Sequence, residues 1–162
     1  MTQPHEDPPP LNQRREAGVP PSSEHAVAEI TALIHEYAYR LDAGDLDGVA
    51  ALFARAALHS TRHDRVRRGA AEARTLYDQV IIYDDGTPRT MHQLSNVTVH
   101  VDGDAATART YFTVLQVTRQ GLHPVLAGEY LDEFAQSGGS WHFTKRVFDP
   151  KLFGDLSQHM GQ

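Results

Sequence analysis

At 162 residues the chain is long enough for one domain built around a single core. It has no cysteine, which excludes thiolate metal sites, a cysteine nucleophile and a disulfide framework. A net charge of -6 speaks against a nucleic-acid surface, which needs clustered lysine and arginine.

Residues 1–22 hold Pro4, Pro8, Pro9, Pro10, Pro20 and Pro21 and almost no apolar side chains. Such a segment buries too little surface to offset its ordering entropy, so a disordered tail is expected. Met1 to Pro10 lacks the basic start and apolar core of a signal peptide. No apolar run approaches the roughly 20 residues of a membrane span. A cytoplasmic protein without membrane or nucleic-acid partners is the expectation. The domain is expected over 23–150, starting near Ser23 as an N-cap, with 151–162 as a C-terminal extension.

From Ala26 to Leu41, apolar residues recur at helical spacing, through Val27, Ile30, Leu33, Ile34, Tyr37, Ala38 and Leu41. This predicts an amphipathic helix ending at Gly44. Asp45 then caps a second helix with Leu46, Val49, Leu52 and Phe53 on one face. Short strands are expected at Leu58–Ser60 and Arg65–Arg67, and a third helix over Ala70–Ile82. The basic run Arg62 to Arg68 reads as a solvated strand and loop, or alternatively as an anion-binding patch.

After Pro88 the period changes from helical to alternating. Strands are predicted over Thr90–Val101, Ala105–Thr118, Leu126–Ala135 and Trp141–Phe148, with Asp102-Gly103 as a hairpin turn and Gly121–Pro124 as a break. Three helices followed by a meander of long strands is an α+β pattern.

Two residues stand out chemically. Asp42 closes the first helix at the edge of its apolar stripe, and His92 opens a long strand. A carboxylate that orients an imidazole makes a proton-transfer couple, because histidine titrates near neutral pH. The plain alternatives are a solvated aspartate at a helix end and a satisfied strand histidine. Strict alternation puts His92, Leu94 and Asn96 on one side, and Met91, Gln93, Ser95 and Val97 on the other. Arg146 is suited to stabilising an oxyanion or pairing with Asp42 if it faces inward, and is an ordinary edge charge if it faces outward. The remaining histidines show no convincing metal-ligand spacing, so no metal or cofactor is expected.

The words Tyr-x-x-x-x-Asp-x-Gly-Asp (Tyr37 to Asp45), His92 with Asn96, and Trp-x-Phe-x-x-Arg in the last strand resemble the SnoaL-like branch of the nuclear-transport-factor-2-like superfamily over about residues 24–150. That branch includes polyketide cyclases, scytalone dehydratase, bile-acid 7α-dehydratase and a dehydrochlorinase. The resemblance implies a cone-shaped α+β barrel, a curved antiparallel sheet around three N-terminal helices enclosing an apolar pocket. It also implies that His92 is the base, Asp42 its partner, and Tyr37 an aid to leaving-group or carbonyl chemistry. The dehydrochlorinase has an arginine at the place of Arg146. Two departures are Gly128 and Tyr130, where scytalone dehydratase has serine and asparagine. Arg109 to Tyr111 likewise stand where it has a second histidine. Asn96, Arg146 and Tyr130 are taken as substrate-binding.

The expected function is a cofactor-independent lyase for a small hydrophobic ring substrate. Rival readings are an isomerase or aldol cyclase with the same couple, or a non-catalytic ligand-binding or assembly subunit. Val97, Val99, Val101 and Val114 read as an exposed apolar alternation needing cover, which with the resemblance predicts a homodimer.

Overall fold

The computed structural model describes residues 23–161, so the tail expected over 1–22 lies outside the described residues. Helix α1 (Ser23–Asp42) buries Ile30, Ile34, Tyr37, Ala38 and Leu41 along the predicted stripe. It stops at Gly44, whose φ of 77° favours glycine. A side chain there would also collide with the Gly86 carbonyl, so the end of α1 is pressed against a later turn. Helix α2 (Leu46–Leu52) begins where the Asp45 carboxylate accepts the Gly48 N–H at 2.9 Å.

Strands β1 (Ala57–Ser60) and β2 (Val66–Arg68) follow, then α3 (Gly69–Arg74) and a 3-10 turn (Thr75–Tyr77). The third helix is therefore shorter than expected over 70–82. The chain leaves it ahead of Val80-Ile81-Ile82, a β-branched run that packs poorly in a helix. Val80 instead forms a β-bridge with Met160.

Four long strands complete the body: β3 (Thr90–Asp102), β4 (Ala105–Thr118), β5 (Gly121–Ser137) and β6 (Ser140–Phe153). The expected break at Gly121–Pro124 is strand. Leu122 and His123 already pair with β4, and Pro124, which has no N–H to offer, sits at a register shift. The sheet order is β2-β1-β6-β5-β4-β3. All neighbours are antiparallel except β1 and β6, which run parallel. The sheet stays open, with β2 and β3 as its edges, and the helices cover one face. The core between them includes Ile30, Ile34, Phe53, Leu58, Phe112, Tyr130 and Phe143. Each such side chain contributes about 1.5–3 kcal/mol on burial.

In β3, the pairing with β4 slips between Ser95 and Thr98, and Asn96 takes a φ of 52°. This bulge inserts one residue and changes which side chains face in. His92 and Leu94 point toward the helices before it, and Val97, Val99 and Val101 do so after it. Val114 is also buried. These valines are thus not an exposed row, and that argument for a dimer falls.

Beyond β6 the chain folds back. The Tyr83 hydroxyl donates to the Gln158 carbonyl at 2.7 Å, and the Gln116 amide donates to the same carbonyl at 3.0 Å. Ile81 N–H donates to the His159 carbonyl at 3.1 Å, and Gly161 N–H to the Gln79 carbonyl at 2.8 Å. The last residues are therefore strapped across the mouth of the space between helices and sheet. Among the described residues, no helix is long and apolar enough to cross a membrane.

Candidate functional site

The space between α1, the sheet and the C-terminal strap is a cavity of about 460 Å³, within the range of small-molecule sites. Leu41, Val114, Leu126, Phe148, Leu156 and Met160 supply apolar wall, while Tyr37, Tyr130, Thr90, His92 and His159 supply polar atoms.

Asp42 reaches this cavity's edge from the last position of α1, and His92 from the start of β3. The Asp42 Oδ1 lies 2.6 Å from His92 Nδ1 and accepts the Thr90 hydroxyl at 2.8 Å. Its Oδ2 accepts the His92 backbone N–H at 2.7 Å. Burial works to raise the Asp42 carboxyl. The His92 ring and backbone, with Thr90, outweigh it and hold the group below its ordinary value. Asp42 is therefore ionised at neutral pH and can only accept hydrogen bonds. The proton between the two residues then belongs to Nδ1, and Nε2 is left outside this contact. A helix end and a strand, joined by three bonds to one carboxylate, fix that ring in place.

Tyr37, five residues before Asp42 on α1, also lines the cavity. Its hydroxyl accepts a hydrogen bond from Tyr77 at 3.4 Å. Tyr130 of β5 stacks on Phe112 with ring centroids 4.5 Å apart and meets Tyr37 edge-on at 5.5 Å. Burial raises the phenols of Tyr77 and Tyr130 well above their ordinary value, with the neighbouring Tyr37 adding to it. Both stay protonated as hydrogen-bond donors.

Two expected substrate contacts are placed elsewhere. Asn96 is exposed at the β3 bulge and does not line the cavity, because the extra residue turns it off the His92 side. Arg146 faces inward, but lies wholly in the core beneath the cavity floor and does not contact Asp42. Its guanidinium pairs with Asp132 through two bonds of 2.7 Å. It sits 4.3 Å from the Tyr37 ring centre and 4.2 Å from that of Tyr130. Burial lifts the Asp132 carboxyl above its ordinary value, with Arg146 offsetting part of that cost.

His159 was not foreseen. It is buried, lines the cavity, and its Nδ1 has no protein partner. Burial, then the nearness of the His92 ring, lowers it to about 4, with Asp42 restoring part. It is a neutral imidazole facing the same space as His92. A lone histidine in an aperiodic C-terminal stretch gives no sequence signal of such a place. Among the described residues, no group of three or more His, Asp or Glu side chains is disposed to hold a metal.

The SnoaL-like domain model matches residues 23–147 and stops short of the strap that carries His159. No curated protein matches the chain. Among solved structures, the protein of unknown function Rv3472 from Mycobacterium tuberculosis is 24% identical with a TM-score of 0.68, over 84% of this chain and 79% of that one. A candidate scytalone dehydratase from Novosphingobium aromaticivorans is 18% identical with a TM-score of 0.66, over 82% and 89%. The β subunit of a candidate aromatic-ring-hydroxylating dioxygenase from the same organism is 16% identical with a TM-score of 0.66, over 86% and 99%. At these identities the likeness is one of fold.

Proposed function

The chain belongs to the SnoaL-like domain family, and from that premise and the cavity's geometry we propose a cofactor-independent lyase that eliminates water from a hydrophobic ring substrate. One observation carries this reading: an ionised Asp42 holds His92 by its Nδ1 at an apolar cavity, which leaves Nε2 outside the pair. Members of the family that eliminate water or chloride use such a couple, and a fused-ring β-hydroxyketone is the substrate type it suits.

In the reaction, His92 Nε2 takes a proton from the carbon beside the carbonyl. The C–H electron pair becomes the new C=C bond, the β C–O bond breaks, and the departing oxygen takes the same proton back from the His92 imidazolium, so that water leaves and His92 returns to its starting form. Asp42 stays ionised and stabilises the imidazolium that forms. Tyr37, which accepts from Tyr77, keeps its own proton for the substrate oxygen as charge develops there. Arg146, 4.3 Å from the Tyr37 ring centre within the core, acts by holding that ring in place.

The test uses 3-hydroxy-1-tetralone, whose loss of water gives strongly absorbing 1-naphthol. The wild-type chain should accelerate naphthol formation, and His92→Gln should lower kcat by about 10²–10⁴ while binding changes little. A product that retains the oxygen would point instead to isomerisation by the same couple. Full activity in His92→Gln would refute the role of His92.

A further inference from the structure

The basic run between β1 and β2 is not used by this reaction, yet it reaches the cavity. Arg62, His63 and Arg67 line its wall, and no aspartate or glutamate does. In a chain of net charge -6, that wall is electropositive. Elsewhere Arg40, Arg74, Arg89, Arg109 and Arg146 each face a carboxylate within 4 Å. Arg62 and Arg67, like Arg55, Arg65, Arg68 and Arg119, have no such partner among the described residues, and what sets these two apart is that they line the cavity. The Arg67 Nε donates to the Thr75 hydroxyl at 3.1 Å, which fixes the fork, while its Nη1 is buried without a protein partner. The Arg62 guanidinium lies 4.8 Å over the Phe153 ring, held at the mouth by a cation–π contact.

We propose that Arg67, with Arg62 and His63, forms an anion subsite, and that the natural ligand is an apolar ring body bearing a carboxylate or phosphate ester. A half-buried guanidinium without a counter-charge is costly, and a planar fork binds either group through two parallel bonds. Its position sets the ligand's direction. Arg67 is on β2 and His92 on β3, the two opposite edges of the sheet, with Phe148, Tyr130 and Val114 of the strands between them lining the cavity. The anion is therefore held by the β2 edge of the sheet, while the ring body lies over the strands that lead to His92. The inference rests on the cavity being the ligand site of the proposed reaction, but its test reads binding alone.

Titration calorimetry on the full chain would compare 2-naphthoate, 2-naphthyl phosphate and the neutral 2-naphthamide. At least one anion should bind about tenfold or more tighter than the amide, the scale of one charge-assisted contact. The better anion identifies the headgroup. The preference should collapse in Arg67→Gln and survive in part in Arg67→Lys, with melting curves confirming that both fold. Arg62→Gln, at an exposed position, should weaken the preference without risk to folding. His92→Gln should leave it intact, so that failure of the lyase reading and failure of the subsite are told apart. Equal or tighter binding of the amide, no binding of either anion at millimolar concentration, or a preference that survives both glutamine variants would overturn the proposal.

Discussion

His159 makes stability depend on pH in a window that few other groups here share. Its folded value of about 4 lies below the ordinary 6.5, so between those values the unfolded chain binds a proton that the folded one refuses. Stability from this group is complete above 6.5 and is lost as pH falls toward 4. At about 1.4 kcal/mol per pH unit, the gap amounts to about 3 kcal/mol as an order of magnitude. Two neighbouring titratable groups act on the ring: His92 pushes it down and Asp42 partly restores it. The carboxyl of Asp42 is itself held below its ordinary value of 3.8, so its own loss of stability falls at lower pH. His159→Leu removes both the titration and the unpaired Nδ1. Urea unfolding at pH 7 and pH 4.5 should show the wild type losing about 2–3 kcal/mol more than the variant. Because His159 belongs to the strap, amide exchange at Ile81 and Gly161, which bond across it, should quicken in the wild type over the same range. Equal losses in the two proteins, with unchanged exchange, would refute the reasoning.

Other outcomes follow from single contacts. Asp132→Asn strands the Arg146 charge among aromatic rings and should cost about 3–5 kcal/mol, seen as a fall in Tm of roughly 10–15 °C. Much of that loss should return in the double change Asp132→Leu with Arg146→Met. Asp42→Asn offers an N–H to His92 Nδ1 and so favours the tautomer whose Nε2 is protonated; kcat should fall about 10²–10⁴ with little change in melting. The sheet face away from the helices presents Met91, Tyr111 and Leu131, each at least 41% exposed, and pairing of two copies there is the expected solution state. Light scattering that reports a monomer at micromolar concentration would count against it.

Periodicity located α1, α2 and the four long strands because each is long and half-buried, so its pattern repeats often enough to be read. Asp42 and His92 were legible from their words and order, and their contact is the predicted one. Asn96 and the valines after it were misassigned because alternation assumes one residue per step, and a bulge leaves no mark in composition. The alternation leaves the side on which Arg146 lies open, and its partner Asp132 is fourteen residues away across a β5–β6 pairing whose register two bulges shift. The helix expected over 70–82 ends early because Val80 bridges to Met160 in the returning C-terminal segment, a contact outside any local window. His159 depends on the same return of the chain, which no local window contains.

Strand β3 is in effect two segments spliced out of phase at Asn96. The upstream segment carries Thr90 and His92 and answers to chemistry, whereas the downstream one carries Val97, Val99 and Val101 and answers to packing. Because the extra residue is taken up there, both halves turn the same way, toward the helices. The same residues paired to β4 without the bulge would have to turn one half outward, giving up either His92 or the valines to solvent. Deleting Asn96 would instead leave His92, Leu94, Val97, Val99 and Val101 in strict alternation, so that both halves still face inward and only the local bend and added twist of the bulge are lost.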